Sequence, residues 1–161
     1  MKITVLGGGA MGTACAAVLS EKPDQHVTVW ARNPDFAEQM QRDRENARLL
    51  PGIPIPDGIE ITSDLAAAVE DAALIVAAIP TAFLREALTR YRDILPSTVP
   101  VVSVIKGLEN ETFLRPSQIV TDVLGCSQVA VLAGPSHAEE IARRKPASLV
   151  AASADPELAK L

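Results

Sequence analysis

Gly7, Gly9 and Gly12 stand at the spacing G-x-G-x-x-G, directly after the apolar run Lys2–Leu6. A small-residue stretch through Ala14, Ala16 and Ala17 follows. Strand, glycine turn and helix in that order are the context a dinucleotide-binding turn requires. Gly7 lets the chain leave the strand tightly, Gly9 leaves room for a pyrophosphate against the backbone, and Gly12 lets the helix lie close to the sheet. The unpaired amides and positive dipole end of that helix would face the phosphates. A plain structural turn is the competing reading.

The other chemistry-bearing residues follow later apolar runs. After the second run the chain reads Trp30-Ala31-Arg32-Asn33-Pro34, with no carboxylate to hold the adenosine ribose hydroxyls. A guanidinium there attracts a 2′-phosphate and can bind it bidentately, so Arg32 favours NADP over NAD; otherwise it is a solvated arginine. Pro80 can start a helix, in which Phe83 reads as ordinary packing. Lys106 closes an apolar run and precedes Gly107, which places a cation at the ligand edge of a sheet; a solvated lysine is the plain alternative. Ser136, with Glu139 three residues on, reads as a helix N-cap completing a capping box, and that helix start offers amides to an anion or carbonyl. His137 and His26 have no nucleophile or carboxylate beside them and read as surface histidines. Cys15 and Cys126 lack metal-ligand or redox spacing and read as buried reduced thiols.

The elements that must position these residues alternate along the chain. Strands are expected at Lys2–Leu6, His26–Trp30, Ile59–Thr62, Leu74–Ile79, Val99–Ile105, Val129–Leu132 and Leu149–Ala152. Helices are expected at Met11–Glu21, Asp35–Arg48, Leu65–Val69, Ala82–Asp93, Pro116–Leu124 and Ser136–Arg143. Several strands are continuous apolar runs, as in parallel strands buried on both faces. The pattern predicts one α/β domain with a doubly wound, mostly parallel open sheet. With 161 residues, 48% hydrophobic and 3% aromatic, its core is built from Ala, Val, Ile and Leu. The Pro/Gly-rich segment 49–58 reads as a surface connection. A net charge of −5 argues against nucleic acid as a main partner. Ala72–Pro80, the longest apolar run, is too short to cross a bilayer, and no signal segment opens the chain, so a cytoplasmic protein without membrane insertion is expected.

Taken together, Gly-Gly-Gly-Ala-Met-Gly-Thr-Ala (7–14), Val-Trp-Ala-Arg-Asn (29–33), Asn-Ala-Arg-Leu-Leu-Pro-Gly-Ile (46–53), Ile-Lys-Gly-Leu-Glu (105–109) and Ala-Gly-Pro-Ser-His-Ala-Glu-Glu (133–140) resemble the NAD(P)-dependent sn-glycerol-3-phosphate dehydrogenase family. The Lys-Gly-Leu-Glu and Gly-Pro-Ser-x-Ala segments are the specific part. The resemblance implies a Rossmann-type domain over residues 1–161 and reversible hydride transfer between NAD or NADP and the glycerol 3-phosphate/dihydroxyacetone phosphate pair, feeding phospholipid synthesis. It places Ala10, Met11, Arg32, Lys106 and Ala138 at cofactor contacts beside Gly7, Gly9 and Gly12. It places Lys106, Gly134 and Ser136 at glycerol phosphate contacts, with Lys106 orienting substrate near the reacting carbonyl oxygen. His137 departs from the phenylalanine expected there. The family continues into a helical second domain, which supplies the proton-transferring lysine and the phosphate clamp, and the full-length protein is expected as a homodimer. This chain reads as the cofactor domain alone, without the last strand of the family's nucleotide domain, and Asp155-Pro156-Glu157 reads as opening another helix. Two readings stay open beside it: a non-catalytic NAD(P)-binding sensor or interaction module, and another small reductase such as a ketopantoate reductase.

Overall fold

The computed structural model describes residues 1–160. Among them, strands β1 (Lys2–Leu6), β2 (His26–Trp30), β3 (Glu60–Thr62), β4 (Leu74–Ala77), β5 (Val101–Ser103), β6 (Val129–Ala133) and β7 (Val150–Ser153) form one sheet in the order β3-β2-β1-β4-β5-β6-β7. β1 to β6 are parallel, and β7 returns antiparallel to β6, pairing Ala130 with Ser153 and Ala133 with Val150. The chain builds outward from β1 on one side and then, from β4, on the other. That reversal makes the β1/β4 boundary the switch point of a doubly wound sheet.

Local signals account for the helices: α1 (Ala10–Leu19), α2 (Pro34–Asp43), α3 (Leu65–Val69), α4 (Thr81–Arg90), α5 (Pro116–Leu124) and α6 (Ala138–Ala142). Asn33 caps α2, its Oδ1 accepting from Phe36 N at 2.8 Å, with Pro34 in the first position. Asp64 caps α3 through Ala67 N at 3.1 Å. Pro116 opens α5, and Gly125 closes it in the left-handed conformation at φ 68°.

Alternation along each strand divides the core. Ile3 and Val5 join Val27, Val29 and Met40 under α1 and α2, whereas Leu6 joins Ile75, Leu84, Leu88 and Ile119 under α3, α4 and α5. Thr4 is buried on the latter face and satisfies its hydroxyl on Ala68 O at 2.5 Å. Over β4 to β6, the face shared with α1 holds an apolar cleft of about 330 Å³, lined by Leu74, Val76, Val102, Val104 and Leu132. Cys15 lines this cleft, partly buried against the core, and burial pushes its thiol pKa up to about 11. No described helix is long and apolar enough to cross a membrane.

Five expectations are corrected. α2 stops at Asp43 rather than Arg48, because Arg44 turns into the left-handed region at φ 51°. The segment 49–58 is not merely a surface connection: Leu50, Ile53 and Ile55 are buried, and Leu50 and Ile53 pack with Ala14 of α1. α6 begins at Ala138, two residues late, so His137 is its N-cap and Ser136 is not; the expected capping box is absent. Residues 158–160 form one 3-10 turn rather than a regular helix. β4 and β5 also end earlier than expected, since ladder pairing between them stops at Ala77–Ser103 and the chains part there.

Candidate functional site

The glycine turn lies at the carboxyl end of β1, wedged between β2 and β4. Gly7 N donates to Trp30 O at 3.0 Å, and Ala78 N donates to Leu6 O at 2.9 Å. At φ 122°, Gly7 adopts a conformation that side chains disfavour, and a Cβ there would lie 3.0 Å from the Ala78 backbone. A Cβ on Gly12 would sit 1.9 Å from Gly7 O, so α1 rests directly on the turn. Gly9, the N-cap of α1, is the opposite case, with nothing within 4 Å of its would-be Cβ. Gly7 and Gly12 are thus required by packing, whereas the space beside Gly9 is open at the positive end of a ten-residue helix.

Arg32 follows β2 on the other side of the turn. It is exposed, and no described side chain pairs with it. Ala31 approaches Gly8 so closely that a Cβ on that glycine would lie 2.8 Å from Ala31 Cβ, which ties the position of Arg32 to the turn. Across the switch point, a cavity of about 630 Å³ opens between the ends of β4 and β5. Its lining brings together Met11 of α1, Pro80 and Thr81 at the start of α4, Lys106 and Gly107, and Ser136, His137 and Ala138. The Lys106 ammonium donates to Ser136 O at 2.6 Å across this cavity.

The loop bearing Lys106 is held from α4. Thr81 Oγ1 donates to Lys106 O at 2.8 Å, and one turn further Arg85 makes a two-pronged contact with Glu109 at 2.8 and 3.0 Å. Arg85 also reaches Asp122 of α5 at 2.6 Å, and Thr112 Oγ1 donates to Glu109 at 2.6 Å. The Arg85 guanidinium, then the Thr112 hydroxyl, hold the Glu109 carboxyl below the usual carboxylate range.

Of the residues singled out in sequence, the structure gathers Met11, Lys106, Ser136 and Ala138 around one cavity, with Gly7, Gly9, Ala10 and Gly12 in the turn beside it. Gly134 is not in that lining. Its backbone lies against the segment before β7, where a Cβ would meet Ser148 O at 2.4 Å, so packing accounts for it. Ser136 is buried, and its hydroxyl donates to Gly134 O at 3.4 Å, leaving its carbonyl to Lys106. Phe83 does not pack into the helix layer: it is 55% exposed. Sequence reasoning passed over Thr81 and Arg85, whose four-residue spacing on α4 was a usable signal, and Asn46, which stands in a quoted segment without a role. No described group of three His, Cys, Asp or Glu side chains is arranged to hold a metal ion.

A glycine turn running into a helix at the switch point of a doubly wound sheet, with a cation and a cavity across it, defines a dinucleotide-binding domain of the Rossmann type. The glycine turn fits a pyrophosphate: the space beside Gly9 at the start of α1 is open, and a cavity lies beside it between the ends of β4 and β5. The family model for the NAD-dependent glycerol-3-phosphate dehydrogenase N-terminus matches residues 2–159, and the chain belongs to that family. Glycerol-3-phosphate dehydrogenase, NAD(P)+, of Chlorobium phaeobacteroides is 45% identical, and that of Syntrophomonas wolfei 47%; each alignment covers 99% of this chain, and 48% and 47% of the relative respectively. The crystal structure of glycerol-3-phosphate dehydrogenase from Coxiella burnetii superimposes with a TM-score of 0.88 at 33% identity, covering 99% of this chain and 48% of that one. The chain therefore spans about half the length of the relatives it matches.

Proposed function

We propose that this chain is the cofactor-binding part of an oxidoreductase that interconverts sn-glycerol 3-phosphate and dihydroxyacetone phosphate with NADP or NAD. The observation that carries the reading is the cavity between β4 and β5, where Lys106 meets Ser136 O beside the open end of α1. A bound nicotinamide dinucleotide supplies the hydride chemistry; the protein supplies orientation and charge. The amides of Gly9, Ala10 and Met11 would hold the pyrophosphate, and Arg32 the adenosine end, where its charge favours a 2′-phosphate. Met11 and Ala138 would line the nicotinamide end. The Lys106 ammonium, on a loop whose backbone is held from α4, would orient the substrate and stabilise charge developing on its carbonyl oxygen, with Ser136 on the same side.

The groups that transfer the proton and clamp the substrate phosphate are proposed to lie in the other half of the full-length protein, in a helical domain, with the full-length protein a homodimer. A cytoplasmic role in glycerophospholipid synthesis fits the substrate pair. The Lys-Gly-Leu-Glu segment, held from α4 through both its lysine carbonyl and its glutamate, favours this reading over a ketopantoate-type reductase or a sensor module. Calorimetric titration of the purified 161-residue chain with NADPH and NADH tests it. Saturable one-to-one binding of both, tighter for NADPH, is expected; absence of binding to either would overturn it.

A further inference from the structure

Asn46 is a buried polar side chain with no accessible surface, far in sequence from the glycine turn it touches. Its carboxamide donates to Gly8 O at 3.1 Å and to Thr13 Oγ1 at 2.9 Å, and its Oδ1 accepts from Leu49 N at 3.1 Å. Thr13 Oγ1 in turn donates to Gly9 O at 2.9 Å. Asn46 thus anchors the Gly8 carbonyl directly and, through the Thr13 hydroxyl, reinforces the Gly9 carbonyl, which also accepts the first backbone bond of α1 from Thr13 N at 2.9 Å.

Peptide units are planar and trans, so anchoring a carbonyl also fixes the direction of the next residue's N–H. Drawing Gly8 O and Gly9 O inward aims the amides of Gly9 and Ala10 the other way, toward the open side of the turn. Without such anchors, consecutive glycines have unusual freedom to reorient their peptide planes. We propose that Asn46 is a positioning residue that presets the phosphate-facing amides of the turn; this rests on the reading of the turn as the dinucleotide site.

The segment that delivers Asn46 is built for that purpose. Arg44 turns the chain out of α2 and anchors its guanidinium on Ile59 O at 2.8 Å, while Leu50 and Ile53 seat the loop against Ala14 of α1. Among side chains of this size, only a carboxamide supplies two donors and one acceptor in one plane. An aspartate at 46 would set lone pairs against the carbonyl of Gly8.

The test is titration of NADH and NADPH into the wild-type chain and into Asn46→Leu, Thr13→Val, Thr13→Ser and the Asn46→Leu/Thr13→Val double variant, each checked by circular dichroism and melting. Both Kd values are expected to rise ten- to a hundredfold in Asn46→Leu, about the scale of hydrogen bonds to a charged group. The NADPH/NADH ratio should stay constant, since the turn does not touch the 2′-phosphate. Thr13→Val should raise both Kd values less, Thr13→Ser should restore them, and the double variant should be no weaker than Asn46→Leu. A role confined to stability would lower the melting point and leave Kd unchanged well below it; that outcome overturns the proposal. If Asn46→Leu does not fold, Thr13→Val carries the test, and an unchanged Kd in that variant overturns it equally. Failure of the wild-type chain to bind either cofactor would instead refute the site reading on which the proposal rests.

Discussion

Side chains introduced at Gly9 and Gly12 should separate the packing role of the turn from its binding role. Alanine at position 12 has two opposing effects. Replacing glycine inside a helix stabilises by about 1 kcal/mol. Its Cβ, however, would sit 1.9 Å from Gly7 O, a shortfall of about 1.5 Å from ordinary contact against a backbone atom that no rotamer change can move. Overpacking of that kind costs about 3 kcal/mol or more, so the clash wins by about 2 kcal/mol. In a domain of this size that lowers the melting point by roughly 4–8 °C. At Gly9 the would-be Cβ meets nothing, and valine should cost no more than about 1 kcal/mol through a poorer N-cap. The same valine would occupy the open space beside the first-turn amides. Losing two charge-assisted hydrogen bonds to a pyrophosphate costs about 3–6 kcal/mol, roughly 10²- to 10⁴-fold in Kd. Differential scanning calorimetry and titration with NADPH report the two quantities independently. Gly9→Val should melt near wild type and lose binding, whereas Gly12→Ala should lose stability and binding together. Unchanged affinity in folded Gly9→Val would refute the assignment of the turn.

Arg32→Ala should weaken NADPH several-fold more than NADH, and the wild-type preference should shrink as salt rises, because the contact rests on exposed charge; equal losses for both cofactors in a fluorescence titration would remove Arg32 from the 2′-phosphate. Glu109, held down by Arg85 and Thr112, should stay ionised until pH falls below the ordinary carboxylate value of about 4.3. A depressed carboxylate contributes order that is present above its unfolded pKa and is lost as pH falls through its folded pKa, so amide protection in residues 106–114 should persist from neutral pH to about 5 and drop in stronger acid. Glu109→Gln should abolish that acid step, and a normal carboxylate titration of Glu109 by NMR would contradict it. The 161-residue chain should oxidise NADPH with dihydroxyacetone phosphate orders of magnitude more slowly than a full-length relative, since general acid–base help alone is worth about 10²–10⁴-fold. Steady turnover abolished by Lys106→Ala would show that these 161 residues already hold the complete site.

Strand cores and the ends of α3 and α5 were legible because they rest on local signals: unbroken apolar runs, the Asp64 cap, Pro116 and Gly125. The place of the glycine turn was legible for the same reason, since it follows β1 directly, and Arg32 and Lys106 stand two and three residues past the ends of β2 and β5. Contacts between distant segments were not legible. Ser136 with Glu139 has the form of a capping box, but the helix starts later, behind an extended His137, and the Lys106 ammonium takes the Ser136 carbonyl. Segment 49–58 has the proline and glycine of an exposed loop, yet Leu50, Ile53 and Ile55 turn inward. Asn46 gives no periodic signal, since its partners are the main chain of Gly8 and the hydroxyl of Thr13. Phe83 occupies a helix position that faces out rather than in, a distinction set by how α4 sits against its neighbours.

The central claim is that a dinucleotide lies across the carboxyl ends of β2, β1, β4 and β5, over the glycine turn. Amide chemical-shift mapping of the 15N-labelled chain with NADPH tests it most directly. The largest shifts are expected at Gly7–Gly12, at Arg32 and Asn33, and at Ile79, Thr81 and Lys106, with the Arg32 and Asn33 shifts reduced when NADH replaces NADPH. Shifts confined to the opposite, amino-terminal edge of the sheet, or to the apolar cleft over β4 to β6, would contradict it.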